Sequence, residues 1–175
     1  GSSNLFINAV VYCAFCGFML SYHVHEKAIM TAIIPLTLLS TTSVEHARLY
    51  LLTCAVGHFG LFPLLYRPVE APFKLISYLT HLALSENLLG HYFDEGRKAA
   101  QPILMRHDRI GFLLLMLVFL FAEVVHPILL KPRGKLEFLP LMIQSVVCAL
   151  GLVYCWVCSW LLLRRCVKDN KEKTE

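Results

Sequence analysis

An all-α, polytopic transmembrane helix bundle is the fold class that this sequence predicts, and three observations predict it. Apolar residues make up 57% of the 175 and charged residues only 16%, with a mean hydropathy of +0.62, outside the ordinary shares of a water-soluble domain. The apolar residues come in long blocks instead of alternating with polar ones, which excludes the period of half-buried strands. Each block approaches the roughly 20 residues that cross a hydrocarbon core of about 30 Å, where only helices and closed barrels satisfy the backbone.

In chain order, about six spans are predicted: Asn4 to Tyr22, Ala28 to Ser43, Leu49 to Tyr66, Phe73 to Leu89, Ile110 to Leu130 and Phe138 to Leu163. The second is the shortest and carries Pro35, which lacks a backbone donor and predicts a kink or a re-entrant segment. The last holds Trp156 and Trp160 ahead of Arg164 and Arg165, the pattern of an interfacial aromatic anchor with a basic collar. Residues 1–3 read as a cut point, because the chain starts at Gly1 without Met or a cleavable leader pattern. The chain is therefore expected to be a fragment, with a transmembrane helical domain over 4–163 and a charged cytosolic tail over 164–175. The stretch from Lys168 onward is expected to be disordered.

Six spans alternate the sides on which basic residues fall. Arg48, Arg97, Lys98, Arg106, Arg109, Arg164, Arg165, Lys168, Lys171 and Lys173 share one side; Lys27, Arg67, Lys74, Lys131, Arg133 and Lys135 share the other. The richer side is expected to be cytosolic, although the triplet after the fifth span weighs against it. The longest connection, His91 to Arg109, contains Gly96 and Pro102 and mixes charge signs, as a solvated loop does. Of the seven cysteines, six lie in apolar blocks and read as packing residues. The Cys13/Cys16 and Cys155/Cys158 spacings lack the loop context of a zinc or redox site. No metal and no cofactor are predicted. The net charge of +4 comes without basic stretches interleaved with aromatics, so no nucleic-acid partner is expected; the lipid bilayer is the partner that the charge and hydropathy predict.

The most informative stretch joins the first two spans: Ser21-Tyr22-His23-Val24-His25-Glu26-Lys27. In the topology above it faces the lumen, and His23, His25, Glu26 and Lys27 are the candidate substrate-binding residues. Lys27 offers a point charge, the histidines donate from ring nitrogens, and Glu26 can orient either, a combination suited to a phosphate. The same residues also read as a plain interfacial cluster in which Lys27 snorkels and Tyr22 anchors. His-x-His occurs in metal sites as well, but this segment supplies too few ligands, and helical zincin, P-loop and Rossmann patterns are missing. Glu123 and His126, three residues apart, are expected to pair with each other.

Tyr22-His23-Val24-His25-Glu26-Lys27-Ala28-Ile29, followed by Ile34-Pro35-Leu36 and Leu38-Leu39-Ser40, resembles the signature of the dolichyl-phosphate-glucose-dependent α-1,3-glucosyltransferases of asparagine-linked glycosylation. These form glycosyltransferase family 57 and have the GT-C fold. Gly57-His58-Phe59 and Leu61-Phe62-Pro63-Leu64-Leu65, with Pro68, Glu70, Pro72 and Lys74 behind, extend the likeness. Recognisable motifs run from about Gly17 to Lys74. His23, where the member that adds the first glucose usually has Gln, makes the chain most similar to the one that adds the second.

The resemblance implies the C-terminal part of a GT-C fold in the endoplasmic reticulum membrane, with its active face lumenal. It implies a hexosyltransferase with a dolichyl phosphate glucose donor and a dolichyl-diphosphate-linked oligosaccharide acceptor. The implied catalytic base is an aspartate upstream of this chain, which leaves the catalytic residue here unknown, Glu26 a weak candidate and the fragment inactive alone. Lys171-Glu172-Lys173-Thr174-Glu175 matches a dilysine-type retrieval ending as well as an ordinary charged tail. The competing readings are the related enzyme adding the first glucose and a non-catalytic transport or binding module lined by Glu86, Glu123 and intramembrane histidines.

Overall fold

The computed structural model describes residues 2–64, 68–94, 103–129, 136 and 138–172, and among them every regular element is helical. Helix α1 is Ser2–Leu20, a 3₁₀ turn covers Glu26–Ile29, α2 is Met30–Leu39 and α3 is Val44–Gly60. Short 3₁₀ turns at Phe62–Leu64 and Pro68–Glu70 lead into α4, Ala71–Asp94. Helix α5, Arg106–Leu120, continues through a π-helical turn at Phe121–Val125 into α6, His126–Leu129, and α7 is Leu139–Glu172.

Cross-links between helices fix their directions. Asn8 of α1 meets His46 at the start of α3, so these two run parallel. Trp156 donates to Cys16 Sγ at 3.4 Å, and the Tyr12 and Trp160 rings lie 5.1 Å apart, which sets α7 antiparallel to α1. Gln144 reaches Phe59, and Arg48 reaches Tyr154 and Asp108; α7 thus opposes α3, while α5 follows it. Lys74 pairs with Glu123, and Leu89 packs with Ala47 and Leu51, so α4 descends beside α3. The chain makes alternating passes with the Ser21–Lys27 hinge at one face and Arg48, Arg106, Arg109 and Arg164 at the other. These sides match the predicted partition of the described basic residues; Arg67, Arg97, Lys98, Lys131, Arg133, Lys135 and Lys173 lie outside the described residues.

Four helices are long and apolar enough to cross a membrane unaided: Ser3–Leu20, Val44–Leu64, Arg106–Ile128 and Leu139–Glu172. The other two expected spans are helical but differ in kind. The ten residues of α2 rise only about 15 Å, with the 3₁₀ turn adding about 8 Å at 2.0 Å per residue. Pro35 sits inside α2, which runs on as one helix through it, and the Thr31 and Ser40 hydroxyls bond back to the carbonyls of Ala28 and Thr37. The 24 residues of α4 would reach about 36 Å, but Lys74, His81, Glu86 and His91 interrupt its apolar character. It leans on α3, where Tyr78 donates to the Ala55 carbonyl at 3.1 Å.

Helix α3 is the central post. Ser43, extended at φ −157°, caps it by accepting from the His46 N–H, and Leu49, Leu51, Cys54, Ala55, Val56 and Phe59 are buried around it. Small residues let its neighbours approach, as in membrane helix packing where lipid supplies no hydrophobic drive. A Cβ at Gly57 would lie 3.1 Å from Ile33, and one at Gly151 would lie 2.8 Å from Val56. The outer faces carry Phe6, Leu113, Ile128 and Leu150 exposed, the apolar exterior expected of a lipid-facing bundle.

Three expectations change. Glu123 pairs with Lys74 and not with His126, whose ring reaches the Leu136 carbonyl at 3.0 Å; the π turn between them widens the helix and breaks the i, i+3 alignment. The expected disorder after Lys168 is helix through Glu172, with Lys168 and Glu172 3.8 Å apart at i, i+4; residues 173–175 lie outside the described residues. Trp160 stacks under the Arg164 guanidinium at 5.7 Å as an anchor would, whereas Trp156 packs inward on α1.

Candidate functional site

The hinge begins where α1 ends at Leu20 and residues 21–23 bend. His23 adopts φ 56°, a left-handed conformation rarely taken by side-chain-bearing residues outside turns and functional sites. Its ring packs against that of Tyr22, 4.2 Å between centroids and tilted by 42°. His25 is extended at φ −70°, ψ 143°, and its carbonyl accepts from the Ala28 N–H at 2.8 Å, closing the 3₁₀ turn. That turn places Glu26 and Lys27 at the outer rim while Ile29 is buried.

His23, His25, Glu26 and Lys27 are all exposed. Among the described residues none of the four side chains makes a hydrogen bond or ion pair. Three donors and one carboxylate within five residues make the hinge an exposed polar ridge. Glu26 alone of the four borders a cavity of about 320 Å³ between α1, α3 and α7. Phe18, Met19, Ile29, Val56, Cys148 and Leu152 make its walls apolar, and Gln144 and Ser145 are polar contributions from α7. Gln144 is held by donating to the Phe59 carbonyl at 2.8 Å. Glu26 is thus the link in the chain between the exposed donors and a mostly apolar cleft.

A second cavity, about 290 Å³, opens between α3, α5 and α7 toward the other face, with His107, Asp108 and Tyr154 at its polar end. Val56 lines both, so the close α3–α7 contact at Gly151 is the wall between them. At that polar end Asp108 accepts from Arg48 Nε at 2.6 Å and Nη2 at 2.8 Å, and from the Met105 N–H at 2.8 Å. Asp108 is thus spent on holding Arg48.

Sequence reasoning missed two groupings. Lys74 is buried on the hinge face, paired with Glu123 and placed 5.6 Å over Phe62 and 5.9 Å over Phe119; the π turn that presents Glu123 has no sequence signature. Cys54, His58 and His81 bring one ligand atom each within 4.8 Å of one another. The i, i+4 spacing of Cys54 and His58 was visible, but only the α3–α4 contact supplies His81. Glu86 borders a third cavity of about 210 Å³ between α3, α4 and α5.

The family model described as "ALG6, ALG8 glycosyltransferase family" matches residues 1–159. A relative from Arabidopsis thaliana is 35% identical over 163 residues, covering 89% of this chain and 32% of its own length. Relatives from Bos taurus and Mus musculus are each 34% identical, covering 87% and 86% of this chain and 28% of their own. All three are named dolichyl pyrophosphate Glc1Man9GlcNAc2 alpha-1,3-glucosyltransferase. The chain spans about a third of the length of these curated relatives. No solved structure matches it.

Proposed function

Since the chain belongs to the ALG6, ALG8 glycosyltransferase family, we propose that it is the C-terminal part of a hexosyltransferase of the endoplasmic reticulum membrane. The enzyme transfers glucose from dolichyl phosphate glucose to the lipid-linked high-mannose oligosaccharide that already carries one glucose, forming an α-1,3 bond on the lumenal face. The acceptor and linkage rest on what the relatives' names say of those proteins. The donor rests on the resemblance carried by the hinge motif.

The observation that carries the role of this part is the exposed set of unpartnered donor side chains, His23, His25 and Lys27, flanking in sequence the one hinge residue, Glu26, that borders an apolar cleft. The dolichyl chain lies along the cleft and its phosphate meets the ridge. As the bond from the sugar C1 to the phosphate oxygen breaks, negative charge grows on dolichyl phosphate. Fixed donors at a low-dielectric surface stabilise that charge more than they stabilise the intact donor. The acceptor hydroxyl attacks C1 from the opposite side, which converts a β-linked donor into an α-linked product, and gives its proton to a base.

Among the described residues the three aspartates, Asp94, Asp108 and Asp169, lie toward the face away from the hinge, and Asp108 is held by Arg48. The base is taken to be the aspartate outside residues 1–175 that the family resemblance implies. Glu26 is the one ridge carboxylate that borders the cleft, and it is the alternative. In the full-length enzyme, His25→Ala and Lys27→Ala are expected to lower kcat/KM by about tenfold or more, the loss of one charge-assisted contact to the departing phosphate. Glu26→Gln is expected to retain turnover. Unaltered kcat and donor KM in both alanine variants would reject the assignment, and abolished turnover in Glu26→Gln would move the base to this chain.

A further inference from the structure

Cys54, His58 and His81 form a cluster that the proposed glucosyl transfer does not use. Cys54 and His58 are one helical turn apart on α3, and His81 comes from α4 across the contact that Tyr78 also makes. The three ligand atoms lie within 4.8 Å of one another; with bonds of about 2.3 Å to sulfur and about 2.0 Å to nitrogen, a three-coordinate ion needs them about 3.5–3.8 Å apart, so side-chain rotations that draw them together by about 1 Å close the set. The His58 and His81 rings meet edge to face at 5.1 Å between centroids, and Cys54 is fully buried. An independent sign of a missing partner is the His81 Nε2 atom, buried and without a hydrogen bond among the described residues. A buried polar atom left so gives up its hydration with nothing in return.

We propose that Cys54, His58 and His81 hold a single soft monovalent cation, copper(I), that clamps α4 to α3. Thiolate and imidazole are ligands that soft and borderline ions select. One thiolate and two neutral imidazoles around a monovalent ion leave no net charge, the arrangement a low-dielectric helix interior tolerates best. Zinc would leave a net positive charge, and a structural zinc site takes four protein ligands where this cluster offers three. On binding, the Cys54 thiol gives its proton to solvent and the copper–sulfur bond replaces the sulfur–hydrogen bond, with no change of oxidation state. The ion compensates for the weak apolar character of α4, which is not among the helices apolar enough to cross a membrane unaided.

The test uses the full-length protein in lipid nanodiscs, equilibrated with copper(I) buffered by a competing chelator under reducing conditions. Metal content is then read by mass spectrometry. A single equivalent is expected in the unmodified protein and in the exposed-thiol control Cys13→Ser, with loss of that equivalent in Cys54→Ser and His81→Gln. X-ray absorption of the unmodified protein is expected to report one sulfur and two nitrogen neighbours per copper, a result that does not depend on how the variants fold. No retained copper, equal retention by the Cys54→Ser and His81→Gln proteins, an all-sulfur shell, or zinc held in preference to copper would each overturn the site.

Discussion

Replacing Gly151 by alanine tests the packing that separates the two cavities. The new Cβ would stand 2.8 Å from Val56 Cγ2, 3.0 Å from Cγ1 and 3.4 Å from Cβ. Both methyls of Val56 face it, and a β-branched side chain on a helix has one strongly preferred rotamer, so rotation offers no escape and α3 and α7 must part. Overpacking of this kind costs about 1–3 kcal/mol, offset by the roughly 0.5–1 kcal/mol gained when a helical glycine becomes alanine. Gly151→Ala in the full-length protein is therefore expected to be destabilised by about 0.5–2 kcal/mol, read as a lowered thermal midpoint in detergent. Gly90→Ala, where a Cβ meets nothing within 4 Å, should be neutral or stabilised. Adding Val56→Ala to Gly151→Ala should restore much of the loss. A Gly151→Ala protein as stable as Gly90→Ala, or a double variant less stable than Gly151→Ala alone, would refute the account of this contact.

Other perturbations test the cross-links. Arg48→Met leaves Asp108, 1% exposed, without its guanidinium partner and with only the Met105 N–H and the largely exposed His107 ring, 3.3 Å away, beside it; it is expected to cost about 3–5 kcal/mol of stability, whereas Arg48→Met with Asp108→Leu should recover most of it; equal losses in both would contradict the pairing. Asn8→Ala removes the partner of His46 Nε2, 3.0 Å away in the buried contact between α1 and α3, and should lower stability by about 1–3 kcal/mol; a change confined within a few tenths would show that the bond is not formed. For orientation, cysteine introduced at the exposed Tyr22 should react with an impermeant reagent only after microsomes are opened, while cysteine at Lys168 should react in sealed ones. The reverse pattern would invert the topology.

The helical class and the alternation of passes were legible because block length and basic residues report the bilayer directly. Less legible was the difference among passes: α2 is cut short where residues 21–29 bend and turn before it, and α4 relies on α3 through Tyr78. The Glu123–His126 expectation failed because helical spacing assumes 3.6 residues per turn, and the π turn at Phe121–Val125 changes the phase. Of the candidate site, the hinge residues and their exposure followed from their polarity between two apolar blocks. The cleft that Glu26 borders did not, since it is made by Phe18, Gly57 and Cys148 from three helices distant in sequence. The same holds for His81, which joins Cys54 and His58 only through tertiary contact.

The most direct test of the hinge ridge is equilibrium binding of dolichyl phosphate to the full-length protein with Lys27 and His25 intact or replaced by alanine. If the ridge holds the phosphate, affinity falls by about tenfold or more, about 1.4 kcal/mol, in each variant, while Tyr22→Ala, a neighbour without a charged or imidazole donor, changes it little. Affinities indistinguishable from that of the unmodified protein, in variants that keep its helicity, would place the headgroup elsewhere.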